Sequence, residues 1–172
     1  MNKIQVYFIG DTVSSNSSEA HQLNKKSSFG ELVGEKIQYS LVESLFLIEN
    51  GKMEIFMQNK KINKENLLKK FQRIDKKFQL KYSVFNDLRK KGYVVKTALK
   101  FGADFRVYDK GVKMGQKHAK WLVFIEREAN KLTWHEFSAK NRVAHSTKKK
   151  LLLAIVDEEN SVSYYEVSWI KP

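Results

Sequence analysis

Three residues in the second half of this 172-residue chain carry side chains that together could break an RNA phosphodiester: Tyr108, His118 and Lys149. Cleavage without a metal needs a base that takes the proton of a 2′-hydroxyl. It also needs an acid for the departing 5′-oxygen and a cation for the charge that builds on the phosphoryl oxygens. A histidine titrates near neutral pH and suits the acid. A lysine supplies fixed positive charge. A tyrosine, with a reference pKa of about 10, needs a neighbouring cation to ionise. Arg106 and Lys149 are the candidates for that neighbour.

The local pattern brings these groups within reach of one another. Tyr108 closes a strand-like run, and His118 opens the next one ten residues later. Two antiparallel strands joined by residues 109–117 would set their side chains close together. Lys149 sits in Lys148-Lys149-Lys150, where a helix meets an apolar strand. Each residue also has an ordinary reading. A tyrosine at a strand end packs at the core edge, a lone histidine is structural, and a lysine triplet is a solvated face. Spacing alone does not decide between the two.

Composition narrows the chemistry. The formal charge is +13, from 32 Lys and Arg against 19 Asp and Glu. Such a surplus favours a polyanionic partner through counterion release, although lysine enrichment also marks heat-adapted proteins. There is no cysteine, which excludes disulfides, thiolate zinc sites and cysteine nucleophiles. The four histidines, His21, His118, His135 and His145, show no His-x-x-x-His pair. No metal and no cofactor is expected. No stretch approaches the ~18 uninterrupted apolar residues of a membrane span. The run from Lys3 to Ile9 is too short for a signal peptide. A cytoplasmic protein without membrane contact is expected.

The elements that must position the three residues can be read from periodicity. Residues 3–9 read as a strand, and residues 11–28, polar and serine-rich, as a mobile loop. Ser40-Leu41-Val42-Glu43 is a capping box that opens an apolar helix ending at Gly51. A strand follows at about 53–57. Asn63 caps an amphipathic helix over 64–77, and another covers 80–90, ending at Gly92. From residue 93 the texture turns to strands: 93–95, 105–108 and 121–125. Thr133 to Glu136 is a second capping box, for a helix to Ser146. Leu151 to Val156 reads as a fully buried strand. Asp157-Glu158-Glu159-Asn160 is an acidic turn, and Val162 to Ile170 the last strand. The expected class is α+β: a small mixed N-terminal α/β domain over residues 1–79, then a C-terminal nuclease-like domain over 80–172. The latter should hold a mixed β-sheet flanked by helices.

Three ordered motifs then change the reading: Gly92-Tyr93-Val94-Val95-Lys96-Thr97, Phe101 to Tyr108, and Arg142-Val143-Ala144-His145-Ser146-Thr147-Lys148-Lys149. Together they resemble the catalytic domain of the archaeal tRNA-splicing endonucleases, from about residue 80 to the C-terminus. The resemblance is weaker in the first half, where Ser40 to Leu45 looks like that family's helix. It implies that Tyr108 is the general base, His118 the general acid and Lys149 the stabiliser of the transition state. The implied products are a 2′,3′-cyclic phosphate and a 5′-hydroxyl. The implied substrate is precursor tRNA with a bulge–helix–bulge at the intron boundaries.

The resemblance also implies a clamp for a bulged base, with Arg142 and Trp169 as its flat side chains; a buried anchor is the alternative for Trp169. Arg106 is a further RNA-binding candidate. His145 is expected to be structural, bonded within the fold. Position 148 departs from the pattern, with Lys where arginine is commoner, which blurs the choice among Lys148, Lys149 and Lys150. Residues 11–28 have no evident counterpart. The acidic turn Asp157, Glu158 and Glu159 resembles a loop that docks on an opposing subunit, and a plain hairpin turn is its alternative. A homotetramer is expected, with a heterotetramer containing a paralogous structural subunit as its rival. The competing function is a non-catalytic RNA-binding structural subunit. A metal-dependent DNA nuclease would need clustered carboxylates, and Asp104 stands alone.

Overall fold

The computed structural model describes residues 3–113, 115 and 117–170. Residues 114 and 116 of the expected 109–117 connection thus lie outside the described residues, as do both ends. The chain divides into two compact units that meet between Gln79 and Leu80.

In the first unit, β1 (Ile4–Ile9) buries Ile4, Val6 and Phe8 and exposes the residues between them. This period of two is that of a strand with one face on a core. There follow β2 (Thr12–Ser15), α1 (Ser18–Ser27), β3 (Glu31–Val33), β4 (Lys36–Tyr39) and α2 (Leu41–Glu49). β5 (Met53–Met57), β6 (Lys60–Lys61) and α3 (Lys64–Ile74) complete the unit. The sheet order is β3-β4-β2-β1-β5-β6, with β1 and β5 parallel and the other pairs antiparallel.

The Ser40 capping box forms as expected, and it does more than cap. Glu43, 4% exposed, accepts from Ser40 N and, with its other oxygen, from Gly30 N at 3.0 Å. A buried carboxylate needs such donors. Gly30 has φ +71, and a Cβ there would meet Ile37 Cγ2 at 2.4 Å, so only glycine fits this approach.

Residues 11–28 are not a loop. They form β2 and α1, with Val13, Ala20 and Leu23 buried. The serines that suggested a loop satisfy backbone instead. Ser15 Oγ donates to Gln5 O at 2.7 Å, and Ser17 Oγ caps α1 by accepting from Ala20 N. Two small or apolar side chains on the helix, Ala20 and Leu23, were enough to dock it.

The second unit is built on α4 (Phe78–Lys90), which begins two residues before the boundary. It continues through β7 (Val94–Ala98), a single 3-10 turn at Leu99–Phe101, β8 (Ala103–Tyr108) and β9 (Trp121–Arg127). α5 (Trp134–Ser146), β10 (Lys150–Val156) and β11 (Val162–Val167) close it. The sheet order is β11-β10-β9-β8-β7. β9 and β10 are parallel, joined through α5, and the remaining pairs are antiparallel.

Leu122, Phe124, Leu151 and Leu153 pack with Ala144, Phe137 and Val143 of α5. On α4, Phe85 lies 5.9 Å from Phe105, and Tyr164 Oη donates to Asp87 at 2.7 Å. Burial and that carboxylate both raise the Tyr164 phenol well above its ordinary value. β10 is covered on both faces, which explains its unbroken apolar run. β11 stops at Val167, short of the expected Ile170, because the chain leaves the sheet and sets Trp169 edge-on to His145 at 4.2 Å. Among the described residues no helix is long and apolar enough to cross a membrane.

Candidate active site

The register of the second sheet sets the reactive residues side by side. Val107 lies opposite Trp121, and Trp121 opposite Lys150. Lys120 N donates to Val107 O at 2.8 Å, and Lys150 N donates to Lys120 O at 3.0 Å. Tyr108, Lys120 and Lys149 each lie one residue beyond this row. They therefore share one end of three neighbouring strands, which stand roughly 4.8 Å apart in such a ladder.

The three candidates differ in setting. Tyr108 is 6% exposed and packs with Val94, Ala119 and Val112. His118 is exposed and adjoins Ala119, which touches that tyrosine cluster. Lys149 is half-buried; its Nζ donates to Thr147 O at 2.8 Å and lies 5.2 Å from the centre of the Phe101 ring.

The end of α5 separates the three lysines. Lys148 N donates to His145 O, Lys149 N donates to Ala144 O, and Lys148 has φ 55. This pair of bonds around a left-handed residue is a Schellman close, a place usually held by glycine. Lys148 spends its backbone on the turn and stays exposed. Lys150 starts β10, and its Nζ donates to Glu166 Oε1. Lys149 is left between them, its Nζ over the Phe101 ring.

Two clefts open beside this end of the sheet. One, of about 810 Å³, is lined by Ala119, Lys120, Lys148, Lys149, Lys150 and Trp169 among others. The second, of about 520 Å³, adds Phe137, Ser138 and Arg142. Asn141, His145, Ser146 and Trp169 line both. Trp169 is 59% exposed, so it is not a buried anchor. Arg142 is exposed on the same helix. Neither Tyr108 nor His118 lines either cleft, and Arg106 does not. Arg106 is half-buried in mid-strand, opposite Lys96 and Leu122.

His145 is not held inside the fold: it is exposed, with its ring against Trp169. The signal was available, since His145 follows Arg142 by three residues on one helix and so shares its face. Asp157, Glu158 and Glu159 form the β10–β11 turn, closed by Ser161 N donating to Asp157 Oδ1 at 2.8 Å. Glu158 and Glu159 point to solvent. Among the described residues no group of three or more His, Asp or Glu could hold a metal ion.

Comparison with known proteins gives this arrangement its context. The catalytic C-terminal domain of tRNA intron endonuclease matches residues 78–164, and that enzyme's N-terminal domain matches residues 4–68. A tRNA-splicing endonuclease of Pyrococcus abyssi is 41% identical over 169 residues, 98% of this chain and 97% of its own length. The chain belongs to the tRNA intron endonuclease family. A tRNA-splicing endonuclease of Nanoarchaeum equitans is 44% identical over 147 residues, 82% of this chain and 94% of that protein. One of Methanothermobacter thermautotrophicus is 36% identical, covering 91% of each. The tRNA intron endonuclease likeness thus reaches into the first unit. It includes β2 and α1, the segment for which the sequence offered no counterpart.

Proposed function

We propose that this chain is an endonuclease that cuts precursor tRNA at intron boundaries, within a bulge–helix–bulge, in the cytoplasm. The observation that carries the reading is the meeting of the Tyr108, His118 and Lys149 segments at one end of the second sheet, in a chain of this family. Tyr108 takes the proton of the 2′-hydroxyl, and the freed oxygen attacks the adjacent phosphorus. His118, exposed at the head of β9, protonates the departing 5′-oxygen. Lys149 holds the negative charge of the phosphoryl oxygens from the cleft wall. The products are a 2′,3′-cyclic phosphate and a 5′-hydroxyl. These groups suffice without a metal or cofactor.

Arg142 and Trp169 face one cleft from α5 and from the C-terminal segment, where an unpaired base can stack between guanidinium and indole. Arg106 lies two residues before Tyr108 on the same side of β8, and it is a further RNA-binding candidate as well as a cation neighbouring the phenol. Two cuts need two sites, so we propose a homotetramer in which Asp157, Glu158 and Glu159 dock on a basic surface of a second copy. A heterotetramer with a paralogous structural subunit is the rival assembly.

One observation favours a second reading, a non-catalytic RNA-binding structural subunit: a phenol that is 6% exposed is poorly open to substrate. End-group analysis of a bulge–helix–bulge transcript treated with the purified chain separates the two. The catalytic reading expects cyclic-phosphate ends, undiminished in EDTA. It also expects a rate about 10²–10⁴ lower in His118→Ala with RNA binding retained. Turnover abolished by EDTA would overturn it, and no cutting until a second protein is added would favour the heterotetramer, in which this chain is catalytic or structural.

A further inference from the structure

At the same end of the second sheet, outside the reactive set, six side chains form a connected ladder. Lys110 Nζ lies 5.2 Å from the centre of the Tyr93 ring. Tyr93 meets Trp121 edge-on, 5.4 Å between centroids. Lys120 Nζ lies 4.2 Å over the Trp121 ring. Trp121 Nε1 donates to Glu166 Oε2 at 2.6 Å, and Lys150 donates to the other oxygen of that carboxylate. The stem of Lys110 runs beside Gly92, where a Cβ would touch its Cδ at 3.7 Å.

The lysines are held in two different ways, and the difference decides what they can bind. A carboxylate fixes an ammonium and cancels its charge. The hydrogen bonds from Lys150 and then Trp121 hold the Glu166 carboxyl below its ordinary range, so that pair is closed. An aromatic face fixes an ammonium through its quadrupole and leaves the full charge available. Lys110 and Lys120 have no carboxylate partner within ion-pair distance among the described residues, although the charge of Lys120 adds a smaller share to the lowering of Glu166. They are pre-placed cations, which spares part of the side-chain ordering that binding otherwise costs.

We propose that Lys110 and Lys120 form a track for the sugar–phosphate backbone of the RNA strand next to the cut, with Lys150 excluded from it by Glu166. The track rests on the RNA reading above and extends it beyond the cleavage phosphate. Lys110 lies two residues past Tyr108, and Lys120 shares a cleft with Lys149. The strand therefore continues from the reactive phosphate across the end of β9 toward the start of β7.

The test uses the full chain and a bulge–helix–bulge RNA with 2′-deoxy residues at the cut sites, so that binding is read without cleavage. Affinity is measured from low to moderate salt. Each phosphate contact contributes about 0.7–0.9 to the slope of log K against log salt. Lys110→Gln and Lys120→Gln should each lower the slope by about that amount. On cleavable RNA both should raise KM several-fold, while kcat falls far less. Lys150→Gln should change the slope little, and Glu166→Gln, which frees Lys150, should steepen it. Slopes unchanged in both Lys110→Gln and Lys120→Gln would overturn the proposal. So would a loss of chain association with RNA affinity intact, because the ladder would then be a seat for an acidic segment of a second copy. Binding that follows these slopes, with the cleavable RNA left uncut even when a second subunit is supplied, supports the track and refutes the catalytic reading alone. Melting curves of each variant confirm that the fold is kept.

Discussion

Lys149 is placed by backbone more than by its own side chain. The Schellman close at Lys148 turns the chain, β10 begins at Lys150, and the residue between lines the larger cleft with its Nζ over the Phe101 ring. The three lysines therefore make different predictions. Lys149→Ala should lower the single-turnover cutting rate by about 10²–10³, the loss seen when one transition-state donor is removed. Lys148→Gly should cost far less activity and raise the melting temperature, because glycine occupies a left-handed position without the strain on a Cβ. Equal losses of rate in the two variants would refute this assignment. Periodicity put Tyr108, His118 and Lys149 at element ends, but only the family resemblance singled them out, since spacing alone left each with an ordinary reading. The pairing of Lys150 with Glu166 was hidden, because it depends on cross-strand register, which no local pattern encodes.

At the scale of elements, α5 carries Arg142, His145 and the approach to Lys149, so its stability is the stability of the site. Its N-terminus is closed by Thr133 and Glu136, which satisfy each other's backbone donors. The bond from Thr133 N, then that from its hydroxyl, hold the Glu136 carboxyl below its ordinary value of 4.5. A carboxylate lowered in the folded state stabilises it above that ordinary value, and the contribution is lost as pH falls through the lowered one. Thr133→Ala should therefore lower the melting temperature by about 2–4 °C at neutral pH. It should also flatten the fall in stability below pH 4.5 relative to the parent chain. A thermal series from pH 3 to 7 checks both, and an unchanged acid limb would show that the Thr133 hydroxyl contributes nothing there, since alanine keeps the backbone bond. Both capping boxes were readable because the motif is local. α1 was missed for the opposite reason: Ala20 and Leu23 dock it through contacts that a serine-rich composition hides.

The whole molecule presents one feature that a single chain does not use. β11 is an edge strand, and Tyr165 on it is 59% exposed. Soluble proteins protect such edges or pair them with another chain. At the near end of the same hairpin, Glu158 and Glu159 project from a turn that Asp157 closes through Ser161. On a protein of charge +13 an exposed acidic turn meets a complementary surface on almost any second copy, and that attraction fixes orientation more than it adds affinity. In the proposed tetramer the two features would act at separate steps, the strand edge joining chains in pairs and the acidic turn joining the pairs. Glu158→Lys combined with Glu159→Lys should reverse the turn's charge without disturbing the hairpin, because Asp157 and Ser161 are kept. Sedimentation should show four chains for the parent protein and two for the variant. Raising the salt concentration should shift the parent toward pairs, since screening shortens the reach of exposed charges to about 8 Å at physiological strength. A variant that still sediments as four chains would show that the turn is only a turn, and the contact between pairs would then have to come from apolar surface insensitive to salt.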